Sequence, residues 1–148
     1  MSYVHHCYHL IFSTKNREPL IHKSFQEELY QYIGGILREK QGSLVEIGGV
    51  EDHIHILAYY HQSVAPADMV KHIKSSSSRW VNESGKCPHR FRWQIKYGSF
   101  SVSQSAIPDV RAYIRNQEEH HKKETFQEEF RRFLKAHGYE GDERFMWE

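Results

Sequence analysis

The sequence predicts an α+β fold: a split βαβ arrangement with an antiparallel sheet, helices on one face and additional helices at the C-terminal end. Three observations predict it. The segments read in the order strand, helix, strand, strand, helix, strand, which is the split βαβ pattern of ferredoxin-like and RRM-like sheets. The second and third strands leave room only for a tight reversal at Glu51-Asp52 and so form an antiparallel hairpin. Finally, 148 residues with 39% hydrophobic and 14% aromatic content can bury one core and are too few for two ordinary domains. The expected organisation is one domain over 1–148, with a core at about 3–104 and further helices over about 105–148.

The first strand is expected at about Tyr3–Ser13, followed by a loop through Asn16-Arg17-Glu18-Pro19. Ser24 and Glu27 read as a capping box opening a helix in which Phe25, Leu29, Tyr32 or Ile33, and Ile36 or Leu37 recur at helical spacing until Gly42. Strands at Leu44–Val50 and His53–Tyr60 follow. A second helix is expected from Pro66 to Asn82, with Met69, Ile73 and Trp80 on one side and Gly85 past its end. Its Ser75–Ser78 run is poor helix interior, and small hydroxyls there suit either tight packing or close approach of a phosphate. Arg90–Val102 reads as one long strand bent at Gly98. A helix at Ser105–His121, capped by Ser105 with Pro108 in its first turn, and a charged helix at about Thr125–Ala136 complete the chain.

Composition narrows the function classes. A net charge of +1 excludes coating nucleic acid by bulk electrostatics and leaves local patches for phosphate contact. Lys71, Lys74 and Arg79 accompany the serines; Arg90, Arg92 and Lys96 alternate with Phe91, Trp93 and Tyr97; Arg111 and Arg115 lie on the Ser105–His121 helix. Cations beside aromatic rings suit single-stranded nucleic acid, although the same interleaving fits a half-buried strand. No apolar run approaches the roughly 18 residues of a membrane span, and no signal peptide is recognisable, so a cytoplasmic protein without membrane partners is expected. Cys7 and Cys87 form neither a Cys-x-x-Cys pair nor a disulfide framework.

The chemistry-bearing stretch is Glu51-Asp52-His53-Ile54-His55-Ile56-Leu57. Alternation on a strand points His53 and His55 to one face, where two neutral imidazoles offer a pair of metal ligands from one rigid element. With 12 histidines in the chain, a chance His-x-His is the competing explanation. On the later helix, Ile107, Val110 and Ile114 form an apolar stripe, and its continuation lands on Gln117 and His121, polar groups where a core residue is expected. Tyr113 lies four residues before Gln117, so phenol and carboxamide share a face; a tyrosine packed structurally is the alternative.

His-Ile-His on a strand and Tyr-x-x-x-Gln on a later helix resemble the single-tyrosine His-hydrophobic-His transposases of the TnpA type, which move insertion sequences as single-stranded DNA. The resemblance extends to Tyr8–Lys15, Lys74–Trp80, Trp93-Gln94 with Tyr97–Ser103, and Tyr113–His121, most of the chain. Many relatives have Pro before Asp-His where this chain has Glu51. The resemblance implies His53, His55 and Gln117 as metal ligands, Tyr113 as nucleophile, and Mg²⁺ or Mn²⁺ as cofactor, with Zn²⁺ left open. It implies cleavage and rejoining of single-stranded DNA with hairpin ends through a 5′-phosphotyrosine. It also implies a homodimer in which the tyrosine helix of one copy completes the site of the other. Lys74, Arg79, Arg92, Lys96, Arg111 and Arg115 are the expected DNA contacts. Rival readings are a host-adopted relative acting on repeated palindromes, a replication initiator or relaxase, and a non-catalytic RRM-like nucleic-acid-binding module.

Overall fold

A computed structural model describes residues 2–139 of the chain. Four strands, β1 (Cys7–Ser13), β2 (Ser43–Val50), β3 (His53–Tyr59) and β4 (Gly98–Ser101), form one sheet in the order β2-β3-β1-β4, with every neighbouring pair antiparallel. Helices α1 (Lys23–Glu39) and α2 (Pro66–Glu83) are the crossovers of the split βαβ pattern. After β4 come α3 (Ile107–Arg115), a one-turn α4 (Gln117–His120) and α5 (Phe126–Ala136).

Strand alternation sorts the sheet into two unlike faces. Leu10 and Phe12 of β1 and Ile54, Ile56 and Ala58 of β3 join Leu29, Ile33 and Leu37 of α1 and Met69, Val70 and Ile73 of α2 in the main core. On the opposite face Cys7 and Leu57 pack with Ile114 of α3, while Ile11 and Phe100 pack with Phe126 and Phe130 of α5. The C-terminal helices thus cover the second face. The central β3 is buried on both sides, and His53, His55 and His9 stand on the C-terminal-helix side without exposure to solvent beyond 2%.

Several boundaries differ from the sequence reading, each for a local reason. β1 begins at Cys7, because the chain before it pairs only outside the strand, where His6 O accepts from Tyr60 N–H at 2.8 Å. The capping box at Ser24 does not form: α1 starts one residue earlier behind His22, which makes no side-chain cap. Ser105 likewise does not cap α3, which is entered through a 3-10 turn at Gln104–Ala106. The helix expected to run unbroken to His121 interrupts at Asn116.

The expected long strand Arg90–Val102 is a strand only from Gly98. Upstream, side chains take the hydrogen bonds a ladder would have used. The Asn82 carboxamide donates to Phe91 O (3.0 Å) and accepts from its N–H (2.8 Å), and Gln94 Oε1 accepts from Ser13 N–H (2.7 Å). Lys74 Nζ donates to the carbonyls of Gln94, Ile95 and Lys96 at 2.6, 2.9 and 3.2 Å. The serine run takes part in this packing: buried Ser77 donates to Ile73 O and accepts from Trp93 Nε1 at 2.9 Å.

Candidate active site

The β2–β3 hairpin aims His53 and His55 at the face covered by α3, α4 and α5. Each imidazole is oriented from behind. His53 Nδ1 lies 2.7 Å from Asp52 Oδ1, and His55 Nδ1 lies 2.9 Å from Nε2 of buried His9 on the neighbouring strand, so both Nε2 atoms point into the site. Such partners fix ring tautomer and direction, as behind metal-ligating histidines generally. Burial works against a charge on His53, but hydrogen bonds to Asp52 and Glu129 win and raise it to about 9. His55 is pulled down to about 4 by its own burial, which Glu129 only partly offsets.

Gln117, at the start of α4, places Oε1 3.2 Å from His53 Nε2. Glu129 of α5, fully buried, enters between the elements: Oε1 is 2.8 Å from His55 Nε2, 3.5 Å from His53 Nε2 and 3.2 Å from His121 Nε2. Its Oε2 accepts from Gln117 Nε2 at 3.3 Å and from the Tyr113 hydroxyl. Burial opposes ionisation of Glu129, yet the imidazoles of His121, His53 and His55 hold its carboxyl well below the usual range. Tyr113 also has Arg132 Nη2 (2.8 Å) and His120 Nε2 (3.0 Å) on its oxygen, and its ring stands 5.8 Å from that of His55. Burial, reinforced by the Glu129 carboxylate, pushes the phenol well above its ordinary value. The nucleophile candidate therefore meets the histidines of its own chain.

His53, His55, Gln117 and Tyr113 are all brought together. His53, His55, His121 and Glu129 each offer one donor atom, all within 4.8 Å of one another, a set fit to hold a divalent cation. Sequence reasoning did not assign His9, Asp52, His120, His121, Glu129 or Arg132 to the site. Signals existed for two of them: His121 continues the stripe of α3, and Glu129 sits on the Phe126, Phe130, Phe133 face of α5, an acid at a core position.

The predicted phosphate contacts divide. Arg79, Arg92 and Lys96 are exposed, and Arg92 lines a groove of about 700 Å³ with Lys15, Lys71, Arg90 and Trp93. Lys74 also lines it, with its ammonium committed to the three carbonyls above and lying 5.3 Å over the Tyr97 ring. Arg111 and Arg115 both reach Glu46 Oε2 of β2, at 2.9 and 3.1 Å, and so pin α3 to the sheet.

The IS200-like transposase family matches residues 2–117, from the first described residue through Gln117. The chain belongs to that family. No curated protein matches it. Among solved structures, a Deinococcus radiodurans protein named as a transposase is 27% identical with a TM-score of 0.63, over 79% of this chain and 95% of that one. A REP-associated tyrosine transposase bound to a REP hairpin superposes with a TM-score of 0.63 at 14% identity, over 96% of this chain and 90% of that one, and so shares the fold. Family membership gives this transposase-family chain a role in DNA transposition and in binding DNA. Among the described residues no helix is long and apolar enough to cross a membrane.

Proposed function

We propose that residues 1–148 form a single transposase domain that cleaves and rejoins single-stranded DNA at insertion-sequence ends by transesterification. The observation that carries this reading is the Tyr113 hydroxyl standing against a buried cluster of two strand histidines, Gln117 and Glu129. A phenol with an ordinary pKa of about 10 is a weak nucleophile, so it needs a proton acceptor and a fixed direction of attack. Glu129 Oε2 accepts from the hydroxyl, while Arg132 donates to its oxygen from the solvent side and His120 Nε2, itself against the Glu124 carboxylate, lies 3.0 Å away. The Tyr113 oxygen attacks phosphorus, the bond from phosphorus to the 3′ oxygen breaks, and a free 3′-hydroxyl leaves while the 5′ phosphate stays on tyrosine. Because this exchange conserves a phosphodiester, a second 3′-hydroxyl reverses it and joins new ends without a nucleotide cofactor. His53, His55 and Gln117 would hold a divalent ion such as Mg²⁺ or Mn²⁺, which would supply charge neutralisation at the scissile phosphate.

Single-stranded DNA with a hairpin end is the proposed substrate, and the groove lined by Lys15, Lys71, Arg90 and Arg92 offers cations to its phosphates. The working unit is proposed as a homodimer in the cytoplasm, since excision must handle two ends together. The intrachain contacts of Tyr113 support a site built in cis; the trans arrangement is separable from it by mixing. A double variant His53→Ala, His55→Ala is combined with Tyr113→Phe under proven subunit exchange. Recovery of cleavage means trans, and dead mixtures mean cis. The reading as a whole fails if Tyr113→Phe still forms a covalent protein–DNA adduct, and a non-catalytic RRM-like binder predicts no adduct from the wild-type protein either.

A further inference from the structure

His121 and Glu129 are unexplained by the three-ligand site. His121 follows the last residue of α4, with a side chain about nine-tenths buried, and its Nε2 makes no aligned hydrogen bond although Glu129 Oε1 lies 3.2 Å away. Glu129 is an acid placed in a helix face otherwise occupied by Phe126 and Phe130. A buried carboxylate facing several imidazole nitrogens needs positive charge beside it, from a protonated imidazole or from a cation held among them.

The spacings about Glu129 Oε1 are close to those of a small coordination shell, and all four donor atoms lie within 4.8 Å of one another. Four ligands around an ion at about 2.0–2.1 Å must lie roughly 3.3 Å from one another if the shell is tetrahedral. Glu129 Oε1 stands 2.8, 3.2 and 3.5 Å from the Nε2 atoms of His55, His121 and His53. The ring centroids of His53 and His121 are 4.2 Å apart at an interplanar angle of 66°, and their Nε2 atoms lie 3.5 and 3.2 Å from Glu129 Oε1. Two of the imidazoles come from a rigid buried strand and are fixed from behind by Asp52 and His9, so half of the shell is preformed.

We propose that His121 and Glu129 are metal ligands, completing with His53 and His55 a four-donor site that holds a divalent transition ion before DNA arrives, as distinct from the His53, His55 and Gln117 set proposed for the DNA-bound state. The proposal rests on the functional reading above only for the choice of His53 and His55 as ligands. Three imidazoles and one carboxylate favour Zn²⁺, Co²⁺ or Mn²⁺ over Mg²⁺, which prefers an octahedral shell of oxygens. The arrangement also gives Glu129 two tasks at once. Oε1 faces the ion while Oε2 accepts from Tyr113, so the ion, α5 and the nucleophile are tied through one carboxylate. Glu129 is in this sense a ligand and a positioning residue for Tyr113.

The test uses the full chain, freed of metal with chelator and without DNA. Co²⁺ is added and its visible spectrum recorded; Zn²⁺ and Mg²⁺ are then titrated by calorimetry. The expected results are the intense bands of four-coordinate Co²⁺, Zn²⁺ bound far more tightly than Mg²⁺, and at least a tenfold loss of Zn²⁺ affinity in each of Glu129→Gln and His121→Ala. A weak six-coordinate Co²⁺ spectrum in the wild-type protein overturns the proposal without recourse to any variant. So does wild-type Zn²⁺ affinity in both substituted proteins. Should Glu129→Gln fail to fold, Glu129→Asp, which keeps the charge and retracts the oxygens, must still alter the Co²⁺ spectrum. Failure of the transposase reading looks different: the wild-type protein binds Co²⁺ in four-coordinate form yet makes no adduct with single-stranded DNA.

Discussion

Replacing Gly48 by alanine is expected to misplace the nucleophile while leaving the histidine pair where it is. Gly48 lies on β2 opposite His55, and α3 crosses it so closely that a Cβ would sit 2.4 Å from Ile114 O and 3.2 Å from Ile114 Cγ2. The first of these atoms is backbone and cannot rotate away. Ordinary contact starts at 3.4 Å, so α3 must retreat by about 1 Å at Ile114, the residue next to Tyr113. Overpacking of this kind costs about 1–3 kcal/mol. A displacement of about 1 Å in a reacting group can cost about 100-fold in rate. Three measurements check it: the rate of adduct formation with a single-stranded hairpin substrate, the melting temperature, and Zn²⁺ affinity. The expected pattern is a loss of rate on the order of 100-fold, exceeding what the fall in stability explains, in protein that remains folded. Gly48→Ala protein that reacts at the wild-type rate would refute the claim that the close α3–β2 contact sets the tyrosine.

Other expectations concern charge, loop order and substrate form. Burial of Glu46 opposes its ionisation, but Arg115 and Arg111 prevail and hold its carboxyl below the ordinary 4.5, so the contribution of this pairing is present above that value and lost as pH falls through the lower folded value. Both guanidinium groups are half exposed or more, so the contribution is about 1 kcal/mol or less. Acid melts of wild type and Glu46→Gln should converge below pH 4.5, and curves that run parallel throughout would refute it. Lys74→Met should destabilise the chain by about 1–3 kcal/mol by leaving three loop carbonyls without their donor, seen as a lower melting temperature and altered Trp93 emission. An unchanged melt would free Lys74 for a purely DNA-facing role. Duplex DNA of the same sequence should react far more slowly than single-stranded DNA, and equal rates would count against the proposed substrate.

The central hairpin, the split βαβ order and the pairing of His53 with His55 and of Tyr113 with Gln117 were readable because each rests on local periodicity. Two-residue alternation put the histidines on one face, and a four-residue spacing put phenol and carboxamide together. What was not readable depended on partners distant in sequence. Arg90–Tyr97 carries a strand-like pattern, yet Asn82, Lys74 and Gln94 satisfy its backbone instead, and their reach is invisible in a linear pattern. The same holds for His9, which enters the site only because β1 pairs with β3 and sets His9 beside His55. Glu129 was legible as an anomaly on an apolar helix face, though its destination was not.

The double burial of β3 has a consequence for quality control of the chain. Two of its odd positions, 53 and 55, carry imidazoles, and its even positions carry Ile54, Ile56 and Ala58 into the main core. A slip of one residue in pairing would drive two imidazoles into hydrocarbon and turn isoleucines toward Glu129 and Tyr113. Such a register carries a penalty on both faces at once, so it has no stable foothold. Material that reaches the native sheet has, by the same event, sorted its histidines from its isoleucines, and a correctly melting preparation should not hide a folded but misregistered fraction.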